Sequence, residues 1–294
     1  MSAKTIVVGV DASPPSLRAA ALAWRIGRAT GATCRLIHAV REPLAALAFE
    51  QASVAGHRLV ERVAIESRRA LLARLRRVVP PAVARTLQVW PGRAARVLAE
   101  RAAYYEATLV VLGRKRHGPL ARALGGSTAH YLVRTLELPI LIGSSSAIRR
   151  ILVAVDESAT AEPTLHQGRE LAGRLDADLR VLHVVEPVRY AYLVPRAPDR
   201  KLLQRRSVEA FNRFASRLGI PESERSVRRG SADAEIAAEA ARWRADVVVV
   251  GSQGKGFVDR VLIGSTTEWL LDHLTTASLL VVPAPRPAHA IPIA

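Results

Sequence analysis

The sequence predicts an α/β protein built from two tandem five-stranded parallel sheets, each an α/β/α sandwich with helices on both faces. The chain has 294 residues, about the length of two domains. Short β-branched apolar runs alternate with longer stretches of helical period, the order expected of parallel strands joined by right-handed crossovers. Runs such as residues 247–250 are apolar at every position, which is typical of strands buried on both faces.

The third observation is an internal duplication. Residues 5–10 read TIVVGV before Asp11, and residues 151–155 read ILVAV before Asp156. Each half then repeats a strand with a late histidine, an apolar strand ending in glycine, and a Gly-Ser-Thr sequence ahead of a leucine-rich helix. These features fall at His38 and His183, Gly113 and Gly251, and residues 126–128 and 264–266.

The elements follow in the same order in both halves. In the first half we predict strands near 5–10, 33–40, 84–90, 108–113 and 139–143, and helices near 16–30, 52–77, 94–104 and 127–136. In the second half we predict strands near 150–155, 178–185, 224–229, 246–251 and 278–282. We therefore expect one domain over 1–145, a second over 146–286 and a Pro-rich tail over 287–294. The junction is the polar sequence Gly143-Ser-Ser-Ser146.

The net charge of +17 is concentrated in the first half. Residues 1–145 hold 22 Lys and Arg against 8 Asp and Glu, and residues 146–294 hold 21 against 18. A basic half can attract nucleic acid or anionic lipid. The arginines, however, are spread along helical stretches such as residues 58–77, where no aromatic residues are interleaved as stacking platforms. Solvated helix faces account for the charge equally well, so we do not expect a nucleic-acid partner.

Other classes of protein conflict with the composition. Cys34 is the only cysteine, which excludes an internal disulfide and a multi-cysteine metal site. No apolar run approaches the roughly 20 residues of a spanning helix, and residues 1–4 lead directly into the first strand without a signal-peptide pattern. We expect a cytoplasmic protein without a membrane partner.

Candidate ligand-binding residues lie at the predicted carboxyl ends of the second-half strands, where open parallel sheets bind ligands. Asp156 follows the first strand, and the spacing Gly251-x2-Gly254-x9-Gly264-Ser265 follows the fourth. We expect the glycines to adopt positive φ and to let backbone amides approach a ligand closely. The start of the next helix adds orphan N–H groups and hydroxyls that favour an anion. The spacing therefore predicts a phosphate cradle, with the aspartate placed for ribose hydroxyls or a phosphate-bound metal ion.

These residues resemble the universal stress protein family. The loop is not a Walker A motif, because Gly256 follows Lys255, and no G-x-G-x-x-G follows a first strand. The resemblance covers nearly the whole chain twice and implies a Rossmann-like fold of the adenine nucleotide alpha hydrolase type. It implies ATP as ligand, with or without Mg²⁺, no catalytic residue and no resident metal. The site residues it implies are Ala154, Asp156, Val184, Val250, Gly251, Gln253, Gly254, Gly264, Ser265, Thr266 and Thr267.

The first half departs from this motif, because Arg116 stands where the second glycine belongs. Its guanidinium either occupies the space where a phosphate group would bind or, together with Lys115, binds phosphate directly. We favour a degenerate or weakened first site. Its candidate residues are Gly9, Asp11, Ala39, Gly113, Lys115, Arg116, Gly126, Ser127 and Thr128.

Structural roles compete with functional ones at several positions. Asp11 and Asp156 could cap the helices that follow them. His38 and His183 lack an evident carboxylate or cysteine partner, so we interpret them as structural. We expect Cys34 to be a buried small apolar residue and the four tryptophans to pack helices or strands.

The resemblance implies a nucleotide-binding, non-enzymatic regulator of the stress response, with an unidentified protein partner and weak ATP hydrolysis at most. Two alternatives stay open. One is a slow ATPase or phosphotransfer enzyme that uses the same site, and the other is a nucleotide-free interaction scaffold.

The last strands of the two halves, near 139–143 and 278–282, are predicted to pair within one chain. Family members commonly pair this strand across a pseudo-twofold axis, and an unpaired apolar edge strand promotes aggregation. The chain would then be an intramolecular pseudo-dimer, with further homodimers left open. We predict that separately expressed halves associate with each other or self-associate in gel filtration. Halves that stay soluble monomers and ignore each other would contradict this pairing.

Overall fold

The computed structural model describes residues 4–40, 54–114, 128–143, 147–187, 200–254 and 263–285. The chain divides into two compact units, Met1–Ala147 and Ile148–Ala294. Each unit contains one parallel sheet flanked by helices, as the sequence predicts. The predicted tail, residues 287–294, lies outside the described residues.

The first unit contains five strands and five described helices. In chain order they are β1 Thr5–Gly9, α1 Pro14–Thr30, β2 Thr33–Val40, α2 Val54–Leu75, α3 Pro81–Ala84, β3 Gln88–Pro91, α4 Ala94–Tyr104, β4 Ala107–Gly113, α5 Thr128–Thr135 and β5 Ile140–Gly143. Its strand order is β3-β2-β1-β4-β5, and these neighbours are parallel. The chain order reverses between β1 and β4, which makes their carboxyl ends the switch point of the sheet.

The second unit repeats this arrangement. Its elements are β6 Arg150–Val155, α6 Ala161–Leu175, β7 Asp178–Val185, α7 Arg200–Arg217, a 3₁₀ turn Glu222–Glu224, β8 Arg225–Arg229, α8 Ala232–Trp243, β9 Val247–Gly251, α9 Ser265–His273 and β10 Ser278–Val282. The order is β8-β7-β6-β9-β10, again parallel, with the switch point between β6 and β9.

One predicted strand is partly wrong. The strand expected near 84–90 begins only at Gln88, because Pro80 and Pro81 start the short helix α3 and Ala84 is its last residue. Proline at the first helical position has its φ already set for a helix and lacks only an N–H that would be unpaired there. The apolar Val83 and Ala84 therefore belong to a helical turn.

The central strands are buried on both faces, as their uninterrupted apolar runs predict. Val247, Val248 and Val249 are fully buried, and so are Val7 and Val8 of β1. Burial of this kind stabilises a unit by roughly 25 cal/mol per Å² of apolar surface removed from water. The sheet is therefore the rigid support on which the loops at its carboxyl edge are placed.

Cys34 lies inside the first unit, as expected. Its side chain is buried, and its thiol donates a weak hydrogen bond to the Ala23 carbonyl oxygen across 3.3 Å. Burial raises the pKa of the Cys34 thiol to about 11, because the low-polarity surroundings disfavour the thiolate.

The outer part of the second sheet holds a buried carboxylate. The side chain of Glu239 on α8 is 0% exposed and accepts hydrogen bonds from three arginines. Arg180 lies 2.9 Å from Oε1, Arg228 lies 2.7 Å from Oε2, and Arg242 also contacts Oε2. These contacts join α8 to β7 and β8, so Glu239 fixes the helix on this part of the sheet.

We predict that Glu239→Gln lowers the free energy of unfolding by about 3 kcal/mol, since it removes the charge that all three guanidinium groups share. Urea unfolding followed by circular dichroism measures the change. Glu100→Gln is the matched control, because its ion pair with Arg96 is largely exposed (49% and 78%) and its loss changes stability by about 0.5 kcal/mol or less. Equal stability of the two variants would contradict the assigned role of Glu239.

Candidate functional site

A cavity of about 560 Å³ lies at the switch point of the second sheet, where β6 and β9 end. The start of α9 and the inner side of α7 complete its walls. All eleven second-half residues that the resemblance implies line it: Ala154, Asp156, Val184, Val250, Gly251, Gln253, Gly254, Gly264, Ser265, Thr266 and Thr267. The structure therefore brings together residues that lie up to 113 positions apart in the sequence.

Asp156 is held in place by the turn that follows β6. Its Oδ1 accepts hydrogen bonds from the backbone N–H of Ser158, at 3.0 Å, and from the Ser158 hydroxyl. The N-cap residue of α6 is Thr160, so Asp156 braces the turn ahead of the helix and does not cap it. Asp11 makes the equivalent contacts with Ser13, at 2.9 Å from the backbone nitrogen. The capping interpretation of the two aspartates is wrong for both units.

The loop after β9 is fastened to the start of α6. The Thr160 hydroxyl donates to the Gln253 carbonyl oxygen at 2.7 Å, and the backbone N–H of Ser252 donates to the Val282 carbonyl oxygen at 2.7 Å. Thr160 is itself buried. These two partners, Thr160 and Val282, belong to the start of α6 and to β10, so residues 252 and 253 are tied to two other elements of the unit.

The glycines of this loop do not adopt positive φ, so that expectation is wrong. Gly251 is required by a close approach within the protein, since a Cβ atom there would lie 2.5 Å from Thr160 Oγ1. A Cβ atom at Gly254 would lie 3.0 Å from Asp156 Oδ2. Gly254 therefore keeps open the space between the carboxylate and the loop, which is part of the cavity.

The start of α9 lines the cavity and has backbone donors that make no hydrogen bond inside the helix. The first intrahelical bond runs from the Glu268 N–H to the Gly264 carbonyl oxygen at 2.9 Å, which leaves the N–H groups of residues 265–267 without a partner inside the helix. These donors and the helix dipole favour an anion. The Thr267 hydroxyl, which was expected to hold phosphate, instead donates to the Gly251 carbonyl oxygen at 2.7 Å. Its contribution at this end is therefore the backbone amide.

The opposite wall of the cavity is apolar. Leu182 and Val184 of β7, Ile236 of α8 and Ala154 of β6 line it. Thr164 of α6 also lines the cavity, but its hydroxyl oxygen is buried, and among the described residues it has no hydrogen-bond partner.

The motif did not reveal the contribution of α7. Leu203, Ser207 and Ala210 line the cavity, and their spacing of four and three residues places them on one face of that helix. Helical periodicity could have indicated such a face, but nothing in the sequence shows which sheet edge it covers. Thr160, Glu157 and Glu186 were also missed.

Both strand-end histidines contact the end of the strand beside them, which is compatible with the structural role interpreted from the sequence. His38 Nδ1 lies 2.8 Å from the Val10 carbonyl oxygen, and His183 Nδ1 lies 3.1 Å from that of Val155. Both rings thus bond the end of the neighbouring strand. His183 also stacks on Phe211 at a centroid distance of 5.2 Å, and its Nε2 lies 2.9 Å from the Ser207 oxygen. Together these contacts hold α7 against the sheet.

The first unit is described only in part at the corresponding edge. Gly9, Asp11, Ala39, Gly113 and Thr128 lie at or near the carboxyl ends of its strands, whereas Lys115, Arg116, Gly126 and Ser127 lie outside the described residues. Gly113 repeats the tight packing of Gly251, because its Cβ atom would lie 2.5 Å from the Ser16 backbone nitrogen. At Gly9 the space for a Cβ atom is already filled by Leu112 and Leu98.

The chain contains two repeats of a parallel α/β domain, and one repeat has a ligand-sized cavity at its switch point. These features are typical of α/β proteins with a small-molecule site at the carboxyl edge of the sheet. Comparison with known proteins agrees with this class. The model of the Universal stress protein family matches the chain twice, over residues 2–142 and 147–283. The chain belongs to the Universal stress protein family.

Individual relatives share one or both repeats. Universal stress protein A homolog 2 of Coxiella burnetii is 30% identical over 128 residues, or 42% of this chain and 87% of the relative. A universal stress protein of Mycolicibacterium smegmatis is 28% identical over 189 residues, or 60% of this chain and 62% of the relative.

Two solved structures share the fold over almost the whole chain. A putative universal stress protein from Pseudomonas aeruginosa UCBPP-PA14 has a TM-score of 0.62 at 20% identity and covers 96% of this chain and 94% of its own. A universal stress protein from Archaeoglobus fulgidus has a TM-score of 0.63 at 16% identity, with coverage of 95% and 96%. No described helix is long and apolar enough to cross a membrane.

We predict that Gly251→Ala lowers the free energy of unfolding by about 1–3 kcal/mol, because the added methyl group overlaps the Thr160 hydroxyl and forces the loop away from α6. Urea unfolding measures the change. Gly173→Ala is the control. That helical glycine has open space around its Cβ position, so alanine should stabilise the protein by up to about 1 kcal/mol. If both substitutions stabilise, the tight packing at Gly251 is not a constraint.

Proposed function

We propose that the second unit binds ATP and that the protein is a nucleotide-dependent, non-enzymatic regulator of the stress response in the cytoplasm. The observation that carries the proposal is the arrangement of unlike groups around one cavity. Glycine-lined backbone and the first amides of α9 lie at one end, an apolar wall lies at the other, and Asp156 lies at the edge of the loop. A ligand with an anionic tail and a flat apolar ring suits both ends.

The cavity has the size and the lining of a small-molecule site. Its volume of about 560 Å³ falls within the range of roughly 300–1,000 Å³ that is usual for such sites. The adenine would lie against Val184 and Ala154. Apolar side chains of this kind are the usual lining of a small-molecule site.

The polar end suits phosphate groups without a lysine-based motif. Backbone N–H groups of residues 265–267 and the loop from Gly251 to Gly254 would bind the phosphate oxygens, and the hydroxyls of Ser265 and Thr266 add two further donors. Asp156 would accept hydrogen bonds from the ribose hydroxyls.

Mg²⁺ is compatible with the site only as a companion of the nucleotide. Among the described residues no group of three or more His, Cys, Asp or Glu side chains could hold a metal ion by itself. Mg²⁺ is commonly bound by one or two carboxylates together with substrate phosphates, and Asp156 is placed to supply such a carboxylate. The ion would neutralise part of the phosphate charge.

The first unit is proposed to bind nucleotide weakly or not at all. Any side chain at the position of Gly254 would begin 3.0 Å from the carboxylate oxygen of Asp156, inside the phosphate space. Arg116 holds the matching position in the first repeat. An arginine there either pairs with Asp11 and fills the pocket or binds phosphate itself, and reciprocal substitutions separate these cases.

We predict that Gly254→Arg weakens ATP binding more than about tenfold, because the side chain occupies the phosphate space. Isothermal titration calorimetry on the full chain measures affinity and stoichiometry. Gly173→Arg is the control, since it adds the same charge on an exposed helix position away from the cavity.

Arg116→Gly should raise the stoichiometry of ATP binding towards two if Arg116 fills the first pocket. It should lower the residual binding of ATP there if Arg116 binds phosphate.

Unchanged ATP affinity in Gly254→Arg would overturn the proposed cradle. Mass spectrometry of nucleotide released by denaturing the wild-type protein identifies the ligand and its number of phosphates. Release of a nucleotide from the wild type but not from Gly254→Arg is the expected result.

A further inference from the structure

Aromatic and arginine side chains alternate on the surface of the first unit beside its edge strand β3. The Arg101 guanidinium lies 4.2 Å from the centroid of the Trp90 ring and 5.0 Å from that of Tyr104. Tyr104 meets Tyr105 edge to face at 4.9 Å, and the Arg35 guanidinium lies 5.3 Å from the Tyr105 ring. We call these five residues the β3-edge cluster.

The cluster is held in a fixed arrangement and is partly open to solvent. The Gln88 side-chain amide donates to the Tyr105 hydroxyl at 2.6 Å, and the Trp90 indole N–H donates to Gln88 Oε1 at 3.2 Å. Trp90 is 37% exposed and Tyr104 is 68% exposed, which is unusual for rings of this size. Arg101 lies over both rings, so the part of each ring that it does not cover is open to solvent.

The second unit provides an internal comparison. Strand pairing aligns Trp90 with Arg228, since Trp90 pairs with Ala39 and Arg228 pairs with Val184 at the same place in the repeat. The helices α4 and α8 likewise align Arg101 with Glu239, and Tyr105 with Trp243. In the second unit, buried Glu239 neutralises the arginines around it. In the first unit a guanidinium replaces that carboxylate.

This exchange leaves the β3-edge cluster without an acidic partner. Among the described residues, no carboxylate lies within ion-pair distance of Arg101 or Arg35. The surrounding segment, residues 85–106, carries four arginines and two glutamates, and one of these glutamates, Glu100, is paired with Arg96. The excess positive charge agrees with the concentration of charge in the first half of the chain.

We infer that the β3-edge cluster binds single-stranded nucleic acid. Unpaired bases stack on the exposed faces of Trp90 and Tyr104, while Arg101 and Arg35 contact the backbone phosphates. An acidic peptide would meet the arginines but has no flat ring to stack, and the bases of a duplex are already stacked on one another. Four of its residues lie within positions 90–105, but the sequence does not show that β3 and the end of α4 bring them together.

The test uses the full chain and a fluorescein-labelled dT20 oligonucleotide in fluorescence anisotropy over a range of salt concentrations. We expect the double variant Trp90→Ala, Tyr104→Ala to bind at least about tenfold more weakly, since each stacking ring contributes to affinity. Trp90→Phe, Tyr104→Phe keeps both rings and should retain most of the binding. Unchanged affinity in the double alanine variant would overturn the inference.

The charge contribution is tested by Arg101→Glu, which restores the acid found in the second unit. It should weaken binding. It should also make the slope of log affinity against log salt concentration shallower, by the amount expected from the loss of one or more phosphate contacts. Arg213→Glu, an exposed position on α7 in the second unit, makes the same change in net charge and is the matched control. Equal loss in the two variants would show attraction by net charge alone and overturn the assigned site.

Competition separates this surface from the other partners. A 20-base-pair duplex and a poly-glutamate peptide are compared with unlabelled dT20 as competitors. If either displaces labelled dT20 as well as unlabelled dT20 does, the inference is overturned in favour of general anion binding. ATP at saturating concentration should leave dT20 bound, because the cavity lies in the other unit. Displacement by ATP would place the oligonucleotide in that cavity and also overturn it. Failure of this inference leaves the ATP proposal untouched.

Discussion

The site depends on one close approach, that of the loop after β9 to the first turn of α6. Gly251 permits it, since any side chain would overlap Thr160, and the Thr160 hydroxyl then bonds the Gln253 carbonyl oxygen at 2.7 Å. In the same loop Gly254 lies next to Asp156, and the Ser252 carbonyl oxygen accepts a hydrogen bond from the Gly264 N–H at the start of α9, at 2.9 Å. The glycine motif is therefore first a packing requirement of the protein, and the space for a ligand results from it.

The duplication lets each unit serve as the reference for the other. Gly113 keeps the tight packing of Gly251, and both strand-end histidines bond the neighbouring strand in the same way. The frame of the fold is thus retained in both copies. The differences are local and chemical: Arg116 in place of Gly254, and Arg101 in place of Glu239. Each difference changes the charge of a surface while leaving the sheet that supports it intact.

The repeat, the strand order and the cavity-lining residues of the second unit could be predicted because their signals are local. An apolar run, the residue that ends it and a fixed glycine spacing are all contained in short stretches of sequence. The reason for glycine at 251 and 254 could not be predicted in this way, since it is crowding by Thr160 and Asp156 and not a positive φ. The face of α7 was missed because its partners lie tens of residues away. The β3-edge cluster was missed because only the packing of β3 against the end of α4 brings its rings and guanidinium groups together. The strand near 84–90 was placed too early because the paired prolines at 80 and 81 start a helix there.

The buried thiol of Cys34 has a practical consequence for redox chemistry. With its pKa near 11, roughly one molecule in a thousand carries the thiolate at pH 8, and burial shields even that fraction. As the chain's only cysteine, it gives the native protein little means to respond to oxidants through sulfur. A cysteine introduced on the surface would therefore be the site where a spectroscopic label attaches, with the natural residue left in place.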